Sequence, residues 1–348
     1  MSELIKKKPY EKRDDILFLQ ELNNLTEYHL KGCKDFFRIW ANWKHVDNIY
    51  DIPFLHVGIF KYLTLKTQHS ELTHKRTVSS SSTSGVPSKI ILDERSSKLQ
   101  SLSTTKTLMD FLGEKKKPLL VIDSVRSLRS RSGLSARMAA AMSLRPLAND
   151  IQFLLDDPDD YESIKWDLLE ENIDLYDEFI VYGFSWILWL AWVKNKFPTT
   201  IQKILRNKKI YFVHSGGWKK LESIKVSHEH FNTSLLDNLH SDSKVIDFYG
   251  LVEQIGIIYP LCECGARHVP VWADVIVRDS YTLKPLENGE IGQLQLLNCI
   301  TFGAPYYSVL TEDLGRILTG SCSVGRSGKR FELIGRVPKA EIRGCANV

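Results

Sequence analysis

The chain has 348 residues, 43% hydrophobic and 25% charged, enough to bury a sizeable core in one large domain or two modest ones, and this excludes a disordered chain. Lys and Arg total 46 against 42 Asp and Glu, and a net charge of +4 is too small an excess for a general polyanion-binding surface, so nucleic acid is not the expected partner. The most apolar stretch, residues 179–193, is interrupted by Tyr182, Gly183 and Ser185 and falls short of the roughly 20 residues that cross a bilayer, so no transmembrane segment is expected. Six cysteines, mostly far apart, and a charged N-terminus without a secretory leader predict reduced thiols in a cytoplasm.

The first fifty residues predict helices. Ile16, Leu17, Leu19, Leu22, Leu25 and Leu30 recur at near-helical spacing, and Phe36, Phe37, Ile39, Trp40 and Trp43 follow, until Asp51-Ile-Pro53 closes the unit. A run of serines with Thr83 and Gly85 comes next, then residues 87–92, which read as a strand. From there short apolar runs alternate with helical ones: 119–122 then 136–144, 179–182 then 186–193, 210–213 then 231–239, and 245–248 then 252–258. Such alternation predicts an α/β domain around a largely parallel sheet. Beyond residue 270 the runs at 273–278, 293–297 and 331–334 look like strands separated by turns, clearest at Glu287-Asn-Gly-Glu290, and predict a β-rich subdomain. The expected division is an N-terminal helical segment at 1–53 packed on the core, an α/β core at 54–270, a β-rich subdomain at 271–335, and a tail at 336–348 carrying Cys345.

Polar segments at the ends of these runs carry the chemistry. Ser79-Ser-Ser-Ser-Thr-Ser-Gly85 places many backbone N–H groups and hydroxyls in one loop, which suits phosphate oxygens; the same composition also describes a solvated linker. It is not a Walker loop, because Lys89 falls four residues after Gly85 and no helix follows. In Asp247-Phe-Tyr-Gly-Leu-Val-Glu253 a strand ends at a Tyr-Gly turn, where ligands of open α/β sheets sit. Glu253 there can hold Mg²⁺ beside a phosphate, or simply place a negative charge in a first helical turn. Asp313, in Leu310-Thr-Glu-Asp-Leu-Gly315, can accept two ribose hydroxyls, and Arg336, in Ile334-Gly-Arg336, can bind a phosphate bidentately; each is equally at home in a turn or a surface ion pair. Cys262-Glu-Cys264-Gly-Ala-Arg-His268 brings two thiols and an imidazole within seven residues, enough for zinc with a fourth ligand from elsewhere such as Cys322, or for buried cysteines beside a hydrogen-bonded histidine. Residues 184–193, with Trp186, Trp189 and Trp192, either line a hydrophobic pocket or fill the core.

Taken in order, Ser80-Ser-Ser-Thr-Ser-Gly85, Tyr249-Gly-Leu-Val-Glu253, Thr311-Glu-Asp313 and Gly335-Arg336 resemble the motif series of adenylate-forming enzymes, over roughly residues 54–345. The phrases Ser-Lys-Ile-Ile-Leu-Asp93, His-Ser-Gly-Gly-Trp-Lys219, Phe-Tyr-Gly-Leu-Val-Glu-Gln254 and Glu-Ile-Arg-Gly-Cys345 bring the resemblance nearest to the acyl-protein synthetases, the fatty acid activating component of bacterial luminescence reductases. More distantly the chain is similar to phenylacetate-CoA ligases. The resemblance implies the α/β large-domain fold of adenylate-forming enzymes, with parallel-rich sheets, flanking helices and a β-rich subdomain. The usual C-terminal domain is expected to be lacking, since the sequence continues for 12 residues past Arg336.

The same resemblance implies a cytoplasmic acid–thiol ligase that uses ATP and Mg²⁺ to turn a carboxylic, fatty, acid into acyl-AMP and then hands the acyl group to a thiol. Ser80, Ser81, Thr83, Ser84 and Gly85 would hold the β- and γ-phosphates, Tyr249 and Gly250 would face the adenine, and Asp313 would grip the ribose. Glu253 would bind Mg²⁺, and Arg336 would contact ribose or phosphate and mark the hinge. Gly216, Gly217 and Trp218 would adjoin the acyl group, and Cys345 would be the acyl acceptor, for delivery to a partner such as an acyl reductase or acyltransferase. An acyl- or aryl-CoA ligase, and an inactive adenylate-fold binding subunit, are the alternative readings. A lysine assisting adenylation would come from Lys89, Lys219, Lys329 or Lys339.

Overall fold

The computed structural model describes residues 2–79, 87–129, 134–218 and 224–338. Asp14 accepts a hydrogen bond from the Leu17 N–H and so caps α1 (Asp15–Gly32), whose apolar stripe buries Phe18, Leu22 and Leu25. After α2 (Lys34–Trp40) come β1 (Leu55–His56), β2 (His74–Ser79) and β3 (Lys89–Asp93). Asp93 caps α3 (Glu94–Leu112), accepting from the Ser96 N–H at 2.9 Å. The α/β part continues with β4 (Lys117–Val121), β5 (Leu134–Ser135), α4 (Ala136–Ser143), β6 (Ala148–Phe153), α5 (Trp166–Leu175) and β7 (Glu178–Phe184). Then follow α6 (Ser185–Leu188), which runs on into a π-helical turn at Trp189–Val193, α7 (Thr199–Leu205), β8 (Lys209–Ser215), α8 (His228–Leu236) and β9 (Lys244–Gly250). After a 3-10 turn at Val252–Gln254 the further elements are strands: β10 (Ile258–Pro260), β11 (Arg267–His268), β12 (Ala273–Arg278), β13 (Gly292–Asn298), β14 (Ser308–Leu318) and β15 (Arg330–Arg336).

Two large sheets organise these elements. In the first, ordered β10-β9-β8-β7-β4-β6, every pairing is parallel except β10 with β9. Helices cover this sheet, so its central strands are buried on both faces; β4 is buried along its whole length and β7 and β8 along almost all of theirs, as parallel sheets require. The second sheet, ordered β11-β15-β14-β13-β12, is antiparallel and gains β1 as a parallel neighbour of β14. A small sheet, β3-β2-β5, flanks them. The α/β alternation and the later β-rich part are thus both present. Among the described residues no helix is long and apolar enough to cross a membrane.

Two hydrophobic cores result, and their residues interleave along the chain. One gathers Leu119, Val181, Trp192, Phe212 and their neighbours around the parallel sheet. The other joins Phe18, Leu22, Phe60 and Leu99 to Trp272, Val275, Leu296 and Tyr307, so the N-terminal helices pack on the antiparallel sheet. Positions 53 and 270 do not separate these cores, because β1 and β11 both belong to the antiparallel sheet. Residues 252–258 also depart from the helix expected there. They form a single 3-10 turn at Val252–Gln254 and then β10. Gly256 takes a left-handed φ of +86° and presses on α3, where an added Cβ would stand 2.5 Å from the Gln100 Cα, so the chain turns and Ile258 pairs with Gly250.

Candidate active site

The parallel strand β9 ends in Tyr249 and Gly250, and the hairpin of β14 and β15 brings Asp313 directly opposite Arg336 beside that end. The Tyr249 hydroxyl donates to Asp313 Oδ2 at 2.8 Å, and Arg336 Nε donates to Asp313 Oδ1 at 3.1 Å. One buried carboxylate therefore ties the parallel sheet to both strands of the hairpin. An ionised carboxylate offers about four lone-pair sites, so these two side-chain donors, among the described residues, leave room for two more. A bulge in the register at Leu314 and Gly315 bends the strand just beyond; an added Cβ at Gly315 would meet the Glu332 carbonyl at 2.5 Å. The Tyr249 ring stacks on Tyr259 and meets Phe331 edge-on, and burial together with the Asp313 charge pushes its hydroxyl pKa well above the ordinary range.

Glu253 stands on the 3-10 turn after β9. The neighbouring Gln254 amide donates to the carbonyls of Leu296 and Tyr306 at 2.8 and 3.0 Å, bolting this turn to the antiparallel sheet. Glu253 is 6% exposed and accepts from the hydroxyl of Ser88, the buried residue that leads from the serine segment into β3. Burial raises its pKa, the Asp313 charge adds to the rise, and the Ser88 hydroxyl and more weakly Lys61 oppose it. A buried carboxylate with a second acid close enough to be felt is a donor set suited to a hard divalent cation such as Mg²⁺, which binds through one or two carboxylates and substrate phosphates.

At the carboxyl end of β8 the chain turns at Gly216, where φ is +82°, and an added Cβ at Gly217 would meet nothing within 4 Å. Trp218 is buried edge-on against Trp189 and Phe231. The Gly216 carbonyl accepts from Ser185 Oγ at 2.8 Å, and that hydroxyl also lies 2.9 Å from His214 Nδ1, so the imidazole proton sits on Nδ1. Burial lowers the His214 pKa to about 4, which keeps the ring neutral. Trp189 and Trp192 lie within the core of the parallel sheet.

The structure thus brings together Tyr249, Gly250, Glu253, Asp313 and Arg336. Ser80, Ser81, Thr83, Ser84, Gly85 and Cys345 lie outside the described residues, as do Lys219 and Lys339. Lys329 is held by buried Asp274, 2.5 Å from its Oδ1, and is committed there. Ser88, Ser185 and His214 escape a reading of the sequence. Ser88 and His214 stand inside family-like phrases, but only the fold shows what their side chains hold. Cys262, Cys264, His268 and Cys322 meet at the far end of the β14–β15 hairpin.

Comparison with known proteins agrees with this architecture. The ATP-bound enzyme MatB from Rhodopseudomonas palustris superposes with a TM-score of 0.50 at 15% identity, covering 75% of this chain and 47% of that one. For 2-hydroxyisobutyryl-CoA ligase in its postadenylation state with 2-HIB-AMP the TM-score is 0.69 at 12% identity, over 95% of this chain and 70% of that one. These likenesses establish the fold of adenylate-forming ligases. The long-chain-fatty-acid–luciferin-component ligase of Vibrio harveyi is 24% identical over 96% of this chain and 91% of its own length. That of Aliivibrio fischeri is 26% identical over 40% of this chain, a match spanning 36% of that protein. The family model described as acyl-protein synthetase, LuxE, matches residues 7–348, and the chain belongs to that family.

Proposed function

We propose that this protein activates a long-chain fatty acid with ATP and passes the acyl group to its own Cys345, for delivery to a partner such as an acyl reductase or acyltransferase. The observation that carries the reading is the group formed by Tyr249, Asp313 and Arg336 with Glu253 beside it, where two spare acceptor positions on one carboxylate match the two hydroxyls of a ribose. The family name and the names of the curated relatives supply the acid's class.

In the first step a carboxylate oxygen of the acid attacks the α-phosphorus of ATP; the new P–O bond forms as the bond to pyrophosphate breaks. No side chain of the protein needs to act as nucleophile, so positioning and charge neutralisation carry the step. Asp313, oriented by Tyr249 and Arg336, accepts the ribose hydroxyls, with Tyr249 and Gly250 beside the adenine. Ser80, Ser81, Thr83, Ser84 and Gly85 hold the β- and γ-phosphates, and Glu253 offers its carboxylate to Mg²⁺, which when bound offsets phosphate charge. Ser185 and His214 fix the Gly216 carbonyl, which together with Gly217 and Trp218 borders the reacting acyl group. In the second step the Cys345 thiolate attacks the acyl carbon, the thioester forms, and AMP leaves with the electron pair of the broken anhydride bond.

Incubation with ATP, Mg²⁺ and labelled fatty acids tests this. The expected result is label on the protein that survives denaturation, is released by hydroxylamine, and disappears in Cys345→Ala while pyrophosphate exchange persists. Label that requires added CoA and is indifferent to Cys345→Ala would make the protein a CoA ligase instead. Absence of pyrophosphate exchange with every acid would make it a binding subunit.

A further inference from the structure

Away from the nucleotide residues, the loop between β14 and β15 meets the turn between β10 and β11, and each carries a cysteine knuckle of the same form. In the first, Cys262-Glu-Cys264-Gly265, the Gly265 N–H donates to the Cys262 carbonyl at 2.9 Å and Gly265 has φ +78°. In the second, Cys322-Ser-Val-Gly325, the Gly325 N–H donates to the Cys322 carbonyl at 3.1 Å and Gly325 has φ +80°. A left-handed glycine three residues after the cysteine closes each turn and points the thiols inward. His268, on β11, completes the set, and the four ligand atoms all lie within 4.8 Å of one another.

The spacings match a tetrahedron around one metal ion. Bond lengths of about 2.3 Å from zinc to sulfur and about 2.0–2.1 Å to nitrogen give tetrahedral edges of about 3.8 Å between sulfurs and about 3.6 Å between sulfur and nitrogen. Cys262 Sγ lies 3.7 Å from Cys322 Sγ, and Cys264 Sγ lies 3.5 Å from His268 Nε2. The sulfur pair is far longer than the roughly 2.05 Å of a disulfide, and these cysteines are free. The surroundings complete the picture. The Cys264 N–H points at Cys262 Sγ from 3.5 Å, Arg326 Nη1 donates to Cys262 Sγ at 3.1 Å, and Arg330 Nη1 lies 3.9 Å from Cys264 Sγ. Three thiolates and a divalent ion leave one net negative charge, which these guanidiniums offset.

We propose that Cys262, Cys264, His268 and Cys322 bind one zinc ion in a closed, structural Cys₃His site. Four protein ligands leave no open coordination position, so the ion is not a catalyst. It staples the β10–β11 turn, which continues from the edge of the parallel sheet, to the hairpin that presents Asp313 and Arg336 at its other end. The staple is independent of the ligase reading and stands or falls separately from it.

Metal analysis of the full-length protein, purified without chelator, should find one zinc per chain. Replacement by cobalt should give thiolate-to-cobalt charge transfer and the intense visible bands of a tetrahedral centre. Cys322→Ser should lose the bound metal and melt several degrees lower, whereas His268→Cys should keep it, with stronger charge-transfer absorption. Should Cys322→Ser fail to fold, the cobalt spectra of the parent and of His268→Cys still decide. Three results would overturn the proposal: no stoichiometric zinc and no tetrahedral cobalt spectrum, metal content unmoved by both Cys264→Ser and Cys322→Ser, or recovery of a Cys262–Cys322 disulfide from the native protein.

Discussion

The two ends of the β14–β15 hairpin, about 17 Å apart along the strand, hold charged groups in opposite ways. At one end Asp313 takes a hydroxyl from Tyr249 and a guanidinium N–H from Arg336, whose side chain is 71% exposed, and among the described residues still has acceptor positions to spare. At the other end three thiols and an imidazole face inward on one another, with Arg326 and Arg330 beside them. An open set invites a substrate, whereas a closed one holds the fold together. What a group leaves unsatisfied, more than its residue type, tells the two roles apart.

Breaking the closed end at its anchor should give the largest effect. Asp274, on β12 and 1% exposed, holds Lys329, the residue before β15, and Arg13 from the N-terminal segment at 2.5 and 2.8 Å. Asp274→Ala strands two partly buried cations and should cost about 3–5 kcal/mol, read as a lower urea midpoint with unchanged slope. A loss under 1 kcal/mol would mean that solvent already screens both partners. At the open end Asp313→Asn keeps the shape but weakens acceptance of ribose hydroxyls and leaves an amide facing the Tyr249 and Arg336 donors. Pyrophosphate exchange should fall roughly 10²-fold, with zinc content unchanged and little lost stability. A variant that unfolds as much as it slows would place Asp313 among the structural groups and erase the contrast.

Much of this was legible in the sequence, and its limits are physical. Short apolar runs mark β4, β7 and β8 because a strand buried on both faces must be almost continuously apolar. The residues Tyr249, Glu253, Asp313 and Arg336, which the structure brings together, could be named. Their hydrogen bonds could not, because Asp313 opposite Arg336 is a register and Tyr249 on Asp313 is a contact between sheets. Residues 252–258 misled because their apolar spacing fits a helix, and the close approach of Gly256 to α3 is tertiary. The N-terminal helices show an apolar stripe, but the stripe does not say which sheet it covers; Phe18 and Leu22 choose the antiparallel one.

The smallest effect sharpens the comparison most, because it separates stability from function at a single buried atom. Glu253 has its pKa raised above the ordinary 4.5, first by burial and then by Asp313. Between that ordinary value and the raised one the folded protein holds a proton that the unfolded chain has released, so stability falls as pH rises through the window. Above it Glu253 is a buried charge carried at a cost in the free protein. Glu253→Gln keeps an acceptor for the Ser88 hydroxyl and removes that charge, so the free variant should be more stable by on the order of 1 kcal/mol at neutral pH. The gain should vanish on acidification below the glutamate range, where both side chains are neutral. The same variant should lose most Mg²⁺-dependent pyrophosphate exchange, since an amide oxygen binds a hard cation poorly. Urea midpoints at acidic and neutral pH, measured beside the exchange assay, check both halves. A variant that is less stable at neutral pH would show that the Glu253 carboxylate is a structural anchor, as the cysteine end is, and that the open end of the hairpin lies elsewhere.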